Sequence, residues 1–118
     1  MRATITATIL AATLALSAAA VCLPSIAVAQ ATARPQALEL FRQGRTAYKA
    51  GDYDAALNFF RRAQAVFSHE PLIILALAKT FDRAETFDNA LKYYQLFLKE
   101  APPDDRDRQS VVKRIKKV

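Results

Sequence analysis

The side chains that could do chemistry are few in this sequence, and their spacing does not favour catalysis. Ser68 and His69 could be read as a nucleophile and its base, but neighbouring residues rarely direct their side chains at each other. One His, no Cys after Cys22 and scattered carboxylates give no metal-ligand spacing, and the two glycines form no phosphate-binding loop. We therefore expect no catalytic residue, no metal site and no cofactor.

Charge is distributed very unevenly along the 118 residues, because only Arg2 of the 17 basic and 11 acidic side chains lies in the range 1–33. An uncharged stretch, 3–23, is followed by small residues just before Gln30, which is the layout of a secretory signal peptide. We expect residues 1–29 to be this signal peptide. The alternative is an uncleaved membrane anchor formed by the same stretch. Both readings predict an exported protein, periplasmic or secreted.

The segment 37–102 matches itself at an offset of 34 residues, and matched positions share side-chain size. The aligned pairs include Gly44 with Ala78, Ala56 with Ala90 and Phe60 with Tyr94. Apolar residues recur three and four positions apart within each unit, so each unit predicts two helices. The sequence therefore predicts two helical hairpins, which residues 30–36 precede as a linker.

Helix-breaking residues separate the predicted helices. Gly51 can take the left-handed conformation that ends a helix, and Asp52 can cap the helix that follows. In the second unit Glu85 and Thr86 are expected to play the same part, with Thr86 as the cap. Pro71 suits a first helical position, and Pro102 is expected to stop the fourth helix.

Residues 103–118 predict a fifth, basic helix, for which Asp104 is the expected cap. Its apolar residues Val111, Ile115 and Val118 are four and three positions apart and so share one face. An apolar stripe with charge on the other side is what a terminal helix needs, because it must cover the last hairpin and still meet water.

These features together resemble two tetratricopeptide repeats, with the fifth helix similar to the solvating helix that follows such arrays. The family pattern W-x2-L-G-x2-Y, then A-x3-F, then P falls in the second unit on Ile74, Leu77, Ala78, Phe81, Ala90, Tyr94 and Pro102. The first unit departs from it at Gln43, a polar residue at a position expected to be buried, and at Ala47. The resemblance implies an all-α fold of two helix-turn-helix hairpins plus a capping helix, a fragment of an α-solenoid.

Two residue sets follow from this register. The residues expected to pack within and between the repeats are Gly44, Ala56, Phe60, Ala78, Phe81, Ala90, Tyr94 and Pro102. The residues that the resemblance places on the concave surface are Leu38, Phe41, Arg45, Tyr48, Lys49, Leu72, Leu75, Lys79, Asp82 and Arg83. Such a surface suits a partner peptide with Leu- or Phe-like anchors and acidic groups. The alternative for Leu72 and Leu75 is packing against the fifth helix or a second copy.

The resemblance implies a non-enzymatic protein-protein interaction module, an adaptor in the bacterial envelope whose partner is another protein or peptide. One alternative is that the basic C-terminal helix binds an anionic membrane or polymer, although a charge run is most often a solvated face. Another is structural self-stacking, since two repeats are fewer than the usual minimum of about three for independent stability. Nucleic acid is not expected as a partner, because the basic tail has no interleaved aromatics for base stacking.

Overall fold

The computed structural model describes residues 25–118, with side chains from residue 33 onward, and the described part consists of five helices without a strand. They are α1 (Ser25–Lys49), α2 (Tyr53–Val66), α3 (Pro71–Arg83), α4 (Phe87–Glu100) and α5 (Arg108–Lys117). Helix α1 packs on α2, α3 packs on both α2 and α4, and α5 packs on α4. The predicted all-α fold of two hairpins and a terminal helix is confirmed. Most of the predicted signal segment, residues 1–24, lies outside the described residues.

Residues 30–36 do not form the predicted linker, because they belong to α1, and Pro35 lies inside that helix. Alanine-rich sequence favours a helix on both sides of Pro35, and the core holds the next turn through the buried Ala37 and Leu40. Among residues 25–118, no helix combines the length and the apolarity that a membrane span requires.

Both hairpin turns lie where the sequence predicts them, but only the first forms the expected side-chain cap bond. Gly51 has a left-handed φ of 79°, and the Asp52 carboxylate accepts a hydrogen bond of 3.1 Å from the Ala55 amide. In the second hairpin the left-handed residue is Glu85, with φ of 60°. Thr86 holds the N-cap position but forms no side-chain cap bond, since its hydroxyl donates to the Ala84 carbonyl at 3.5 Å instead.

Helix α5 begins at Arg108, later than predicted, and the expected cap is wrong. Asp104 is exposed in the preceding turn, and Asp107 holds the N-cap position without a side-chain cap bond. The delay has a local cause, because the Asp105 carboxylate accepts a hydrogen bond of 2.8 Å from the Asp107 amide and so stabilises a turn there.

The core places small residues where helices approach closely and aromatic residues where they diverge. A Cβ added to Gly44 would lie 2.6 Å from Cε1 of Phe60, so the contact between α1 and α2 requires glycine. Ala56, Ala78 and Ala90 are completely buried at the matching positions of the other helices. The size pattern seen at the 34-residue offset is therefore a packing pattern.

Two expectations about buried positions fail. Pro102 is exposed and ends α4 without packing between repeats, whereas Ala101 beside it is buried. Gln43 is also exposed, and its amide donates a hydrogen bond of 3.0 Å to Glu39 on the same helix. The physical reason is that α1 packs mainly on α2, whereas α3 is covered by both α2 and α4. The position of Leu77 is therefore buried, and the equivalent position of Gln43 is exposed.

Candidate functional site

A central pocket of about 330 Å³ opens between α1 and α3. Its floor includes Phe60 from α2, on which both of those helices pack. The lining residues are Phe41, Arg45, Tyr48, Phe60, Leu72, Leu75, Ala76, Lys79 and Arg106. Six of the ten residues predicted for the concave surface therefore lie around one cavity.

An apolar pocket of about 440 Å³ adjoins the central pocket and shares Phe41 and Leu72 with it. Phe67, which follows α2, and Ile73 also line it, and the charged residues of its lining are Arg34 and Glu70. Leu38 and Leu72 protrude at this end, with 62% and 56% of their surface exposed. Exposed apolar side chains that adjoin each other commonly mark a surface that binds another molecule.

A polar pocket of about 490 Å³ adjoins the other end and shares Tyr48 and Lys79 with the central pocket. Its remaining lining residues are Asp82, Arg83, Glu85, Phe87, Tyr94 and Arg114. The three pockets thus form one continuous groove, which runs from exposed leucines to charged side chains. Lys49, the last residue of α1, is exposed and is not among the residues that line the three pockets.

The central pocket is cationic. Arg45, Lys79 and Arg106 line it, and no acidic side chain does. The salt bridges formed among the described residues involve none of these three cations. Leu75, predicted as a protruding anchor, is only 4% exposed and contributes to the apolar wall of the pocket. The pocket can therefore accept an anionic group beside an apolar one.

Asp82 has a different role from the one that the sequence indicated. Its carboxylate accepts hydrogen bonds from Nε and a terminal nitrogen of Arg114, at 2.7 and 2.6 Å, and from the Tyr94 hydroxyl at 2.8 Å. The Arg114 guanidinium holds the pKa of Asp82 below its ordinary value, and burial together with Asp82 raises the pKa of Tyr94. Asp82 thus joins α3 to α4 and α5 and has little capacity left for a ligand.

Arg83 lies at the polar end beside Tyr48, whose ring meets that of Tyr53 edge-on at 5.7 Å. The Tyr48 hydroxyl beside Arg83 raises the pKa of this guanidinium, which is exposed. Arg83 is therefore a fixed positive charge at the mouth of the groove.

Arg106 and Arg114 also line this groove, although neither was among the residues predicted for it. The signal was present, because the 34-residue offset continues beyond residue 102 and aligns Arg106 with the exposed Leu38 and Leu72. The same offset aligns Arg114 with Thr80 of α3. Helix α5 therefore corresponds to the first helix of a third unit.

Comparison with known families agrees with this geometry. Two models of the tetratricopeptide repeat match residues 37–69 and residues 73–109, which together make up more than half of the chain. The chain belongs to the tetratricopeptide repeat family. Tetratricopeptide repeats generally mediate protein-protein interactions and are typically not enzymes. The second match continues past residue 102 into the start of α5, in line with the third-unit register of that helix. No curated protein matches the chain.

The described residues hold no cluster of three or more His, Cys, Asp or Glu side chains that could bind a metal ion. His69 is exposed, and its Nδ1 lies 3.2 Å from a carboxylate oxygen of Glu100 at the end of α4. In this tetratricopeptide repeat protein, the groove between α1 and α3 is therefore a candidate binding site that combines exposed apolar side chains with cations.

Proposed function

We propose that this tetratricopeptide repeat protein is an adaptor that binds a segment of a partner protein in the groove between α1 and α3. The observation that carries the proposal is the continuity of the three pockets, which joins exposed leucines to the three cations of the central pocket, none of which forms a salt bridge among the described residues. Burial of a leucine side chain contributes roughly 1.5–3 kcal/mol, and Leu38 and Leu72 can each gain about half of that on binding.

The test is selection of peptides from a random display library on the purified protein. We expect the selected peptides to lose binding to a Leu72→Glu, Lys79→Glu variant, because it places negative charge in the groove. A matched control is Arg61→Glu, Arg62→Glu, which changes two exposed residues of α2. Selected peptides that bind the groove variant and the wild type equally would refute the proposal.

We propose the bacterial envelope as the setting, on the support of the apolar stretch 3–23 and the small residues before Gln30. Cleavage there would remove Ser25 to Ala29 from α1 and leave Ala37, the first buried side chain described, in place. Fractionation of expressing cells followed by intact-mass measurement tests this. A periplasmic or secreted chain beginning at Gln30 is expected. A full-length chain in the membrane fraction would indicate the anchor, and one in the cytosol would contradict export.

A second candidate function is binding of an anionic lipid surface by α5, which contains no acidic residue. Lys113, Lys116 and Lys117 are exposed on it, as is the apolar Val112. Each lysine near an anionic membrane contributes about 1 kcal/mol. Replacement of the three lysines by Gln should abolish co-sedimentation with vesicles containing anionic lipid, whereas Lys92→Gln, Lys99→Gln on α4 should not. Unchanged co-sedimentation of the α5 variant would exclude this function.

A further inference from the structure

The groove carries the same pattern on both of its walls. Leu38 on α1 and Leu72 on α3 occupy equivalent repeat positions and are both exposed. Arg45 and Lys79, seven residues later in each helix, are also equivalent and both line the central pocket. Seven residues of α-helix span about 10 Å. The leucine pair and the cation pair are therefore separated by about 10 Å along the groove.

A third cation completes the central pocket. Arg106 belongs to the turn between α4 and α5, and the docking of α5 fixes that turn. The Arg108 guanidinium donates hydrogen bonds of 2.8 and 3.1 Å to the carbonyls of Leu98 and Ala101 at the end of α4. Three cations from three separate segments thus surround one pocket that no acidic side chain lines.

The pairing of like residues on opposite walls matches the geometry of an extended chain, whose successive side chains point to opposite sides. Two consecutive apolar residues would meet Leu38 and Leu72, one on each wall. A distance of about 10 Å is three residues of extended chain. Two acidic residues starting three positions away would then face Arg45 and Lys79, with Arg106 beside them.

Resting on the proposed function, we infer that the groove selects an extended segment in which two adjacent apolar residues stand three positions from two adjacent acidic residues. The apolar pair enters the pocket between Leu38 and Leu72, and the carboxylates enter the central pocket. Exchanging the two pairs is unfavourable. An apolar pair in the central pocket would dehydrate the cations without supplying an anion, and carboxylates beside Leu38 and Leu72 would leave these leucines exposed.

The experiment measures binding of synthetic fluorescent peptides by anisotropy. The probe contains Leu-Leu-Ser-Glu-Glu and is compared with Leu-Leu-Ser-Gln-Gln and with Leu-Glu-Ser-Leu-Glu, which keeps the composition and breaks the spacing. The reversed order Glu-Glu-Ser-Leu-Leu tests chain direction, and binding of either order satisfies the inference. We expect the first or the reversed peptide to bind about tenfold more tightly than the other two, and the advantage to shrink as salt is raised.

Protein variants locate the effect. Arg106→Gln and Lys79→Gln should each weaken the acidic peptide about fivefold and leave the glutamine peptide unchanged, whereas Lys92→Gln on α4 should affect neither. Thermal melts followed by circular dichroism confirm that these surface variants fold. Equal affinity for the acidic and glutamine peptides, or for the respaced peptide, would overturn this inference. The proposed function would still stand if display-selected peptides depended on Leu72, and it would fall separately if they did not.

Discussion

The Asp82 carboxylate on α3 binds the Arg114 guanidinium on α5 through two hydrogen bonds of 2.6 and 2.7 Å. The two residues are 32 positions apart, and this pair joins α5 to α3, whereas the Arg108 hydrogen bonds to the carbonyls of Leu98 and Ala101 join α5 to the end of α4. The apolar part of the contact is small, since Val111 is the one buried residue of α5. The ion pair is therefore a substantial part of what holds α5 against the repeats.

Replacement Asp82→Asn should loosen α5, because the charge that orients Arg114 is lost. Arg114 is partly exposed, so we expect a cost of about 1–2 kcal/mol, below that of a fully buried pair. Hydrogen exchange measured by mass spectrometry should be faster by about 5- to 30-fold in α5 and unchanged in α2. Asp104→Asn, in the exposed turn before α5, is the matched control. Equal protection of α5 in Asp82→Asn and the wild type would contradict the importance of the ion pair.

The same pair predicts a pH dependence. The pKa of Asp82 is lowered mainly by its hydrogen bond to Arg114, so the ionised form favours the folded state. This contribution is complete above the unfolded pKa of about 3.9 and is lost as the pH falls through the lowered folded pKa. The difference in unfolding free energy between the wild type and Asp82→Asn should be constant near pH 7 and shrink below about pH 5. Chemical denaturation at several pH values measures it, and a difference that grows towards acid would have the wrong sign.

Replacement by alanine should lower stability more at the N-cap Asp52 than at the N-cap Thr86. Asp52→Ala removes a side-chain bond to the Ala55 amide and should destabilise the protein by about 1 kcal/mol. Thr86→Ala removes no cap bond and should change stability by less than about 0.5 kcal/mol. Urea unfolding of the two variants provides the comparison. Equal losses would show that the cap geometry described for the two hairpins is incorrect.

The contact between Gly44 and Phe60 predicts that a methyl group cannot be added there. Gly44→Ala improves helix propensity, yet its Cβ would lie 2.6 Å from the buried Phe60 ring, so we expect a net loss of about 1–3 kcal/mol. Thr46→Ala, at an exposed position of the same helix, should be near neutral. Thermal unfolding followed by circular dichroism distinguishes them. A more stable Gly44→Ala would mean that α1 and α2 are further apart than described.

Much of the fold follows from local sequence. The first hairpin turn is an example. Gly51 takes the left-handed conformation, and the Asp52 carboxylate accepts a hydrogen bond from the amide of Ala55, three residues later. Neither effect needs a residue that is distant in the sequence. The predicted start of α5 was wrong because a neighbouring side chain favours a turn there: the Asp105 carboxylate accepts a hydrogen bond from the Asp107 amide, and the helix begins after it. The prediction also failed at Gln43, whose burial depends on whether another helix covers α1.

The candidate groove was foreseen in part. The resemblance to tetratricopeptide repeats placed Phe41, Arg45, Leu72 and Lys79 on one surface, and they line adjoining pockets. Asp82 was predicted to contact a ligand, but it binds Arg114. An ion pair between residues 32 positions apart produces no periodic pattern in the sequence, so it could not be predicted from spacing.

The sequence by itself determined the number of helices, their pairing into two hairpins and the placing of small and large side chains, because these depend on periodicity and on residue size at equivalent repeat positions. Only the tertiary structure decided which charges remain available for a ligand. Asp82 is occupied by Arg114, whereas Arg106 joins Arg45 and Lys79 around the central pocket. Contacts of this kind arise when separate segments pack together, so their geometry is a property of the folded chain.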